Sequence, residues 1–169
     1  GPIETKNKSC VMVRFYSLKQ FQNENINYAL TDFGGNSSLL IEDPNNTGNM
    51  IVQTTKTDAA ATWAGTTMST NAGFLSPIPV TQNSTKMYVH VWSPDANIPI
   101  RLKIEDSNDP TRSVETQILN TTANTWEVLE FDFTDQAAGT AALNVNYTFN
   151  MASIFFNFIY TYSQYIEHI

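Results

Sequence analysis

Two runs in the middle of the chain alternate residue by residue. In Lys86-Met-Tyr-Val-His-Val-Trp92, Met87, Val89 and Val91 share one side, and Tyr88, His90 and Trp92 share the other. In Ile98-Pro-Ile-Arg-Leu-Lys-Ile-Glu105, Ile100, Leu102 and Ile104 oppose Arg101, Lys103 and Glu105. Side chains of a β-strand point to opposite faces with period two, so each run has a dry face and a wet one. A helix needs a 3.6-residue period, and no segment holds one over a dozen residues. Further strand-sized runs are Ile26–Leu30, Ser38–Ile41, Met50–Thr55, Arg112–Ile118, Trp126–Phe133 and Ser153–Phe158. Turn signals separate them: Asp32-Phe-Gly-Gly-Asn36, Asp43-Pro-Asn-Asn-Thr-Gly48, Ser93-Pro-Asp-Ala-Asn97 and Ser107-Asn-Asp-Pro110. Short strands at a spacing of about ten residues predict an all-β fold, an antiparallel β-sandwich.

The composition agrees. Thr occurs 21 times and Asn 18 times, and charged residues make up 15%. That disfavours helical bundles and favours strands joined by polar turns. A length of 169 residues suits one domain. The net charge of −7 argues against nucleic acid as a partner. Cys10, the one cysteine, excludes an internal disulfide and a cysteine-based zinc knuckle. No apolar run approaches the ~20 residues of a spanning helix, so no membrane insertion is expected. Gly1-Pro2 reads as a protease-cleaved tag scar. The reading divides the chain into an atypical segment 1–20, a sandwich domain 21–158 and an atypical tail 159–169. Within the first segment, Cys10–Leu18 suggests an edge strand. Thr54–Gly73, rich in Thr and Ala around Trp63, reads as a long surface loop.

The turn residues at 93–97 predict that 86–92 and 98–105 form a hairpin. Its wet side would set Tyr88, His90 and Trp92 beside Arg101, Lys103 and Glu105, and a neighbouring strand would add Glu115 and Gln117. Rings beside fixed hydrogen-bonding groups suit a sugar: rings stack on pyranose C–H faces, and polar groups replace water on the hydroxyls. The alternative is an ordinary outward strand face, which carries polar and aromatic residues in any case. Trp63 is either an exposed platform or a plug over the sandwich edge, and Trp126 is expected in the core. His90, Tyr88, Lys103, Arg101 and Glu115 also include the residue types of a polysaccharide lyase. Asp43–Asn49 and Glu105–Asp109 gather the oxygen ligands of a structural calcium, with turn-making as the plainer role.

From about residue 28 to 158 the chain resembles jelly-roll, galactose-binding-like domains of secreted polysaccharide-degrading and surface proteins of marine bacteria. The motifs are Leu30-Thr-Asp-Phe-Gly-Gly-Asn36, Val52-Gln-Thr-Thr-Lys56, Thr62-Trp-Ala-Gly-Thr-Thr67, Lys86–Asp106, Val114-Glu-Thr116, Trp126–Phe133 and Ala152-Ser-Ile-Phe-Phe-Asn-Phe158. The resemblance implies a non-catalytic, carbohydrate-binding-module-like domain, extracellular or at the cell surface, with a polysaccharide as partner and often a structural calcium. Taken with the two-faced strand pair, the ligand surface would be Tyr88, His90 and Trp92 with Arg101, Lys103 and Glu115, and Trp63 would close one end. Both ends depart from the pattern, at Phe21-Gln-Asn-Glu24 and over 159–169, where the paired Asp of the last strand has no counterpart. A sheet position is then left for residues 159–169, residues 9–18, or another copy of the chain, giving a homo-oligomer through edge strands. The rival reading is a structural or adhesive surface module without glycan binding; a lyase is the third.

Overall fold

The computed structural model describes residues 8–15 as a backbone path, and residues 29–43, 46–48, 50–57 and 59–160 in full. They form ten strands: β1 (Lys8–Phe15), β2 (Thr31–Phe33), β3 (Asn36–Glu42), β4 (Met50–Thr57), β5 (Gly65–Thr67), β6 (Lys86–Trp92), β7 (Pro99–Asp106), β8 (Asp109–Leu119), β9 (Trp126–Asp132) and β10 (Met151–Phe156). No helix occurs among the described residues. One five-stranded sheet runs β3-β4-β1-β6-β9 and the other β2-β5-β10-β7-β8, with every pairing antiparallel. The expected all-β antiparallel sandwich is what the chain forms.

The alternation assigns the inner faces correctly. Met87, Val89 and Val91 of β6 and Leu129 and Phe131 of β9 meet Ile100, Leu102 and Ile104 of β7 and Ile154 and Phe156 of β10 in one buried cluster. The pairing differs from the expected hairpin. β6 lies in the first sheet beside β1 and β9, and β7 lies in the second beside β10 and β8. The segment between them is an arch from sheet to sheet, and Asn120 shapes it. Asn120 is fully buried; its Oδ1 accepts from the Ile98 amide at 2.8 Å, and its Nδ2 donates to the carbonyls of Asp95 (2.7 Å) and Thr122 (3.1 Å). Asn97 takes the left-handed conformation at φ 60, which Asn tolerates. Glu127 then fixes the return loop. Burial pushes its carboxyl up, but bonds from Thr121 and Thr122 outweigh that and hold it below the ordinary range.

Two further expectations change. Of Cys10–Leu18, expected as an edge strand, residues 10–15 belong to β1, which lies between β4 and β6 in the interior of the first sheet, and residues 16–18 lie outside the described residues. The supposed surface loop 54–73 contains the end of β4 and all of β5, and Thr54, Lys56, Ala60, Ala64, Thr66, Thr67, Met68 and Ser69 are buried. Small side chains there serve close packing. A Cβ on Gly65 would stand 2.7 Å from both the Phe33 and Phe155 rings.

Lys56 points inward from β4 and is 1% exposed. Its Nζ donates to the carbonyls of Thr62 (3.0 Å), Phe156 (3.2 Å) and Asn157 (3.0 Å). It thereby ties the first sheet to the end of β10 in the second. Burial lowers its pKa from 10.5 to about 8. Between those values the unfolded chain keeps a proton that the native lysine has lost, so stability rises with pH there and is flat below. Relative to a Lys56→Met variant, native protein should gain up to about 3 kcal/mol across that window, a ceiling because the three carbonyls favour the charged form. Paired urea titrations from pH 7 to 10.5 measure it; a constant difference would contradict a depressed lysine.

Candidate functional site

The two packed sheets turn their other faces outward in opposite directions. Tyr88, His90 and Trp92 stand on the outer face of the first sheet, whereas Arg101, Lys103 and Glu115 stand on that of the second. The expected six-residue surface is therefore split, with the whole core between its halves. Packed sheets lie about 10 Å apart, and outward side chains diverge further. No single ligand unit touches both sets, and the acid–base set suggested for a lyase is divided in the same way.

On the first sheet the neighbour of β6 is β9, which pairs Tyr88 with Glu130, His90 with Val128 and Trp92 with Trp126. Trp126, expected in the core, belongs to this outer row. Leu129 and Phe131 fix the inward phase of β9, so Trp126, Val128, Glu130 and Asp132 must face out. The His90 and Trp126 rings lie 4.8 Å apart, tilted by 43°. Tyr88 donates its hydroxyl to Glu130 Oε1 at 3.0 Å, and Lys86 Nζ reaches the same oxygen at 3.1 Å. These bonds to Glu130 raise the pKa of both Tyr88 and Lys86. The face is open: Tyr88 is 40% exposed and Val128 56%. One end thus carries rings and the other fixed donors and acceptors.

The second sheet's outer face is closed in the middle. Thr67, Met151, Ser153 and Phe155 are all buried although they point away from the core. Phe155 makes edge contacts with Phe33 and Phe158, both at 5.5 Å, and the Arg101 guanidinium lies 3.9 Å over the Phe158 ring. Arg101 also donates to Gln117 at 2.9 Å and pairs with Glu115 at 3.6 Å, while Lys103 pairs with Glu105 at 3.6 Å. The polar groups here satisfy one another. Trp63 stacks on Phe33 at the β2 end, 6.4 Å between centroids and 15° between planes, and is 57% exposed. Of the two roles considered for it, this is the platform geometry.

The carboxylates proposed for calcium are otherwise engaged at one of the two turns. Asp106 accepts the Asn108 amide, Asp109 accepts from Thr111, and Arg112 approaches both carboxylates, at 3.9 and 3.3 Å. A guanidinium beside both disfavours a cation there. Of Asp43–Asn49, residues 44, 45 and 49 lie outside the described residues. Among the described residues no group of three or more His, Cys, Asp or Glu is placed to hold a metal. Compared with protein-family profiles, characterised proteins and solved structures, the chain gives no match.

The unequal faces give a direct test. Phe155→Ala should destabilise by about 3 kcal/mol or more, as for a core ring. Val128→Ala, on the open face, should change stability by no more than about 0.5 kcal/mol. Urea midpoints of the two variants check this, and similar losses would contradict the contrast.

Proposed function

We propose that this protein is a non-catalytic, carbohydrate-binding-module-like domain that recognises a polysaccharide on the outer face of its first sheet. Trp92, Trp126, His90 and Tyr88 stack on successive sugar rings, and Lys86 and Glu130 take hydroxyl hydrogen bonds. One observation carries the reading: two neighbouring strands place four rings on an accessible face where the core does not require them. Burying such rings against a sugar's C–H face removes apolar surface from water on both partners. The strands anchoring the rings are packed from beneath, so little ordering is lost on binding. The repeated passage of the chain between sheets accords with a jelly-roll winding of the galactose-binding-like kind. An extracellular or cell-surface location follows from such a ligand.

A structural or adhesive module is the second reading, favoured by the exposed Val128 and Leu39 (60% exposed) on the same outer face. Affinity electrophoresis in gels of cellulose derivative, xylan, galactomannan and alginate separates the two. Glycan recognition predicts retardation in at least one gel, weakened about tenfold by Trp92→Ala or Trp126→Ala, equivalent to ~1.4 kcal/mol. Arg101→Ala, on the opposite face, should bind as native. No retardation in any gel, with a concentration-dependent oligomer that Trp92→Ala dissolves, would replace the glycan by a protein partner.

A further inference from the structure

Trp63 lies at the other lateral edge of the sandwich from β9, beside β2, and the row on β6 and β9 does not include it. One face of its indole is stacked on Phe33 and the side chain is 57% exposed.

The loop that carries it is held at several points. The Ala60, Ala61 and Ala64 amides donate to the carbonyls of Thr57 (3.0 Å), Gly34 (2.7 Å) and Ala61 (3.0 Å). The Thr62 carbonyl accepts from Lys56 Nζ at 3.0 Å and from the Ile159 amide at 2.9 Å. Gly34 and Gly35, at φ 70 and 101, clear the space: a Cβ on Gly34 would meet Ala64 Cα at 2.9 Å and Trp63 Cζ3 at 3.0 Å. Ile159 sits at φ 73, a left-handed conformation that a β-branched residue adopts only under constraint. A buried ammonium, a strained isoleucine and two close-approach glycines thus converge on a loop whose largest side chain points into solvent.

A tryptophan side chain offers at most about 250 Å², so Trp63 presents roughly 140 Å², a platform the size of a single ring. Beneath the ring the loop is closely packed, with Ala60 and Ala64 buried and Gly34 against the indole, while Ile159, bonded to the adjacent Thr62, is exposed. A single flat ring with one weakly hydrated face fits that platform. We infer that Trp63 is a second, separate stacking site for one pyranose ring; the ligand class rests on the glycan reading above.

The test makes Trp63 the sole indole by combining Trp92→Phe with Trp126→Phe, since the chain has three tryptophans. Its emission is followed while hydroxyethylcellulose, xylan, galactomannan and alginate are added, and Trp63→Ala is assayed in the native background. The site predicts a saturable emission change with a polymer that native protein binds, and a loss of about fivefold or more in affinity for Trp63→Ala. Unmoved emission, with Trp63→Ala binding as native protein does, overturns the second site and leaves the sheet-face reading standing if Trp92→Ala loses binding. Responsive Trp63 emission with Trp92→Ala and Trp126→Ala binding as native upholds this site and removes the other. Native protein that binds none of the four polymers overturns both.

Discussion

One ammonium group joins the two layers of this sandwich where hydrocarbon does not. Lys56 has three carbonyl acceptors, two of them at the end of β10 and one in the loop before β5. Removing it would leave those carbonyls buried and unpaired, the costly case for a hydrogen bond. The seam around it is polar as well. Thr66 donates to Asp32 at 2.7 Å, Ser38 bonds Thr54 at 2.9 Å and Thr66 at 3.0 Å, and Asn36, opposite Lys56 in register, donates to Thr66 at 3.2 Å. The β6, β9, β7 and β10 half is packed with aliphatic and Phe side chains, while the β2–β5 half is a hydrogen-bonded network. Non-directional packing allows sliding; directional bonds fix how the sheets are set against each other.

What the chain discloses by itself is the facing of its strands. Met87, Val89, Val91, Ile100, Leu102 and Ile104 alternate as core residues must, and all are buried. Which strand neighbours which is not written locally. The residues at 93–97 suit a tight turn, yet the partner that makes them an arch is Asn120, 22 positions beyond Ile98. A turn motif specifies a change of direction but not the sheet in which the chain continues. Trp126 was decidable from its own run, because Leu129 and Phe131 set a phase that puts it outside. Thr54–Gly73 was misleading for a different reason: small residues mark exposed loops and equally mark places where backbones come close, as at Gly65.

The candidate surface was half legible for the same cause. Tyr88, His90 and Trp92 were readable as one outward row because they lie on one strand. Their companions Trp126, Val128 and Glu130 come from a strand adjacent in space and distant in sequence. Arg101, Lys103 and Glu115 are equally outward, but their charges are paired and the centre of their face is covered. Alternation distinguishes in from out. It does not distinguish an open exterior from a closed one.

The placement of β10 bears on how the molecule is made. This strand, buried at every position, sits between β5 and β7. Until residues 151–156 leave the ribosome, the second layer has a gap at its centre and two unpaired edges. Contacts so remote in sequence impose a large loop-closure entropy before they contribute stability. Assembly is therefore expected to be slow and late, with the nascent chain most vulnerable to misassociation just before β10 arrives.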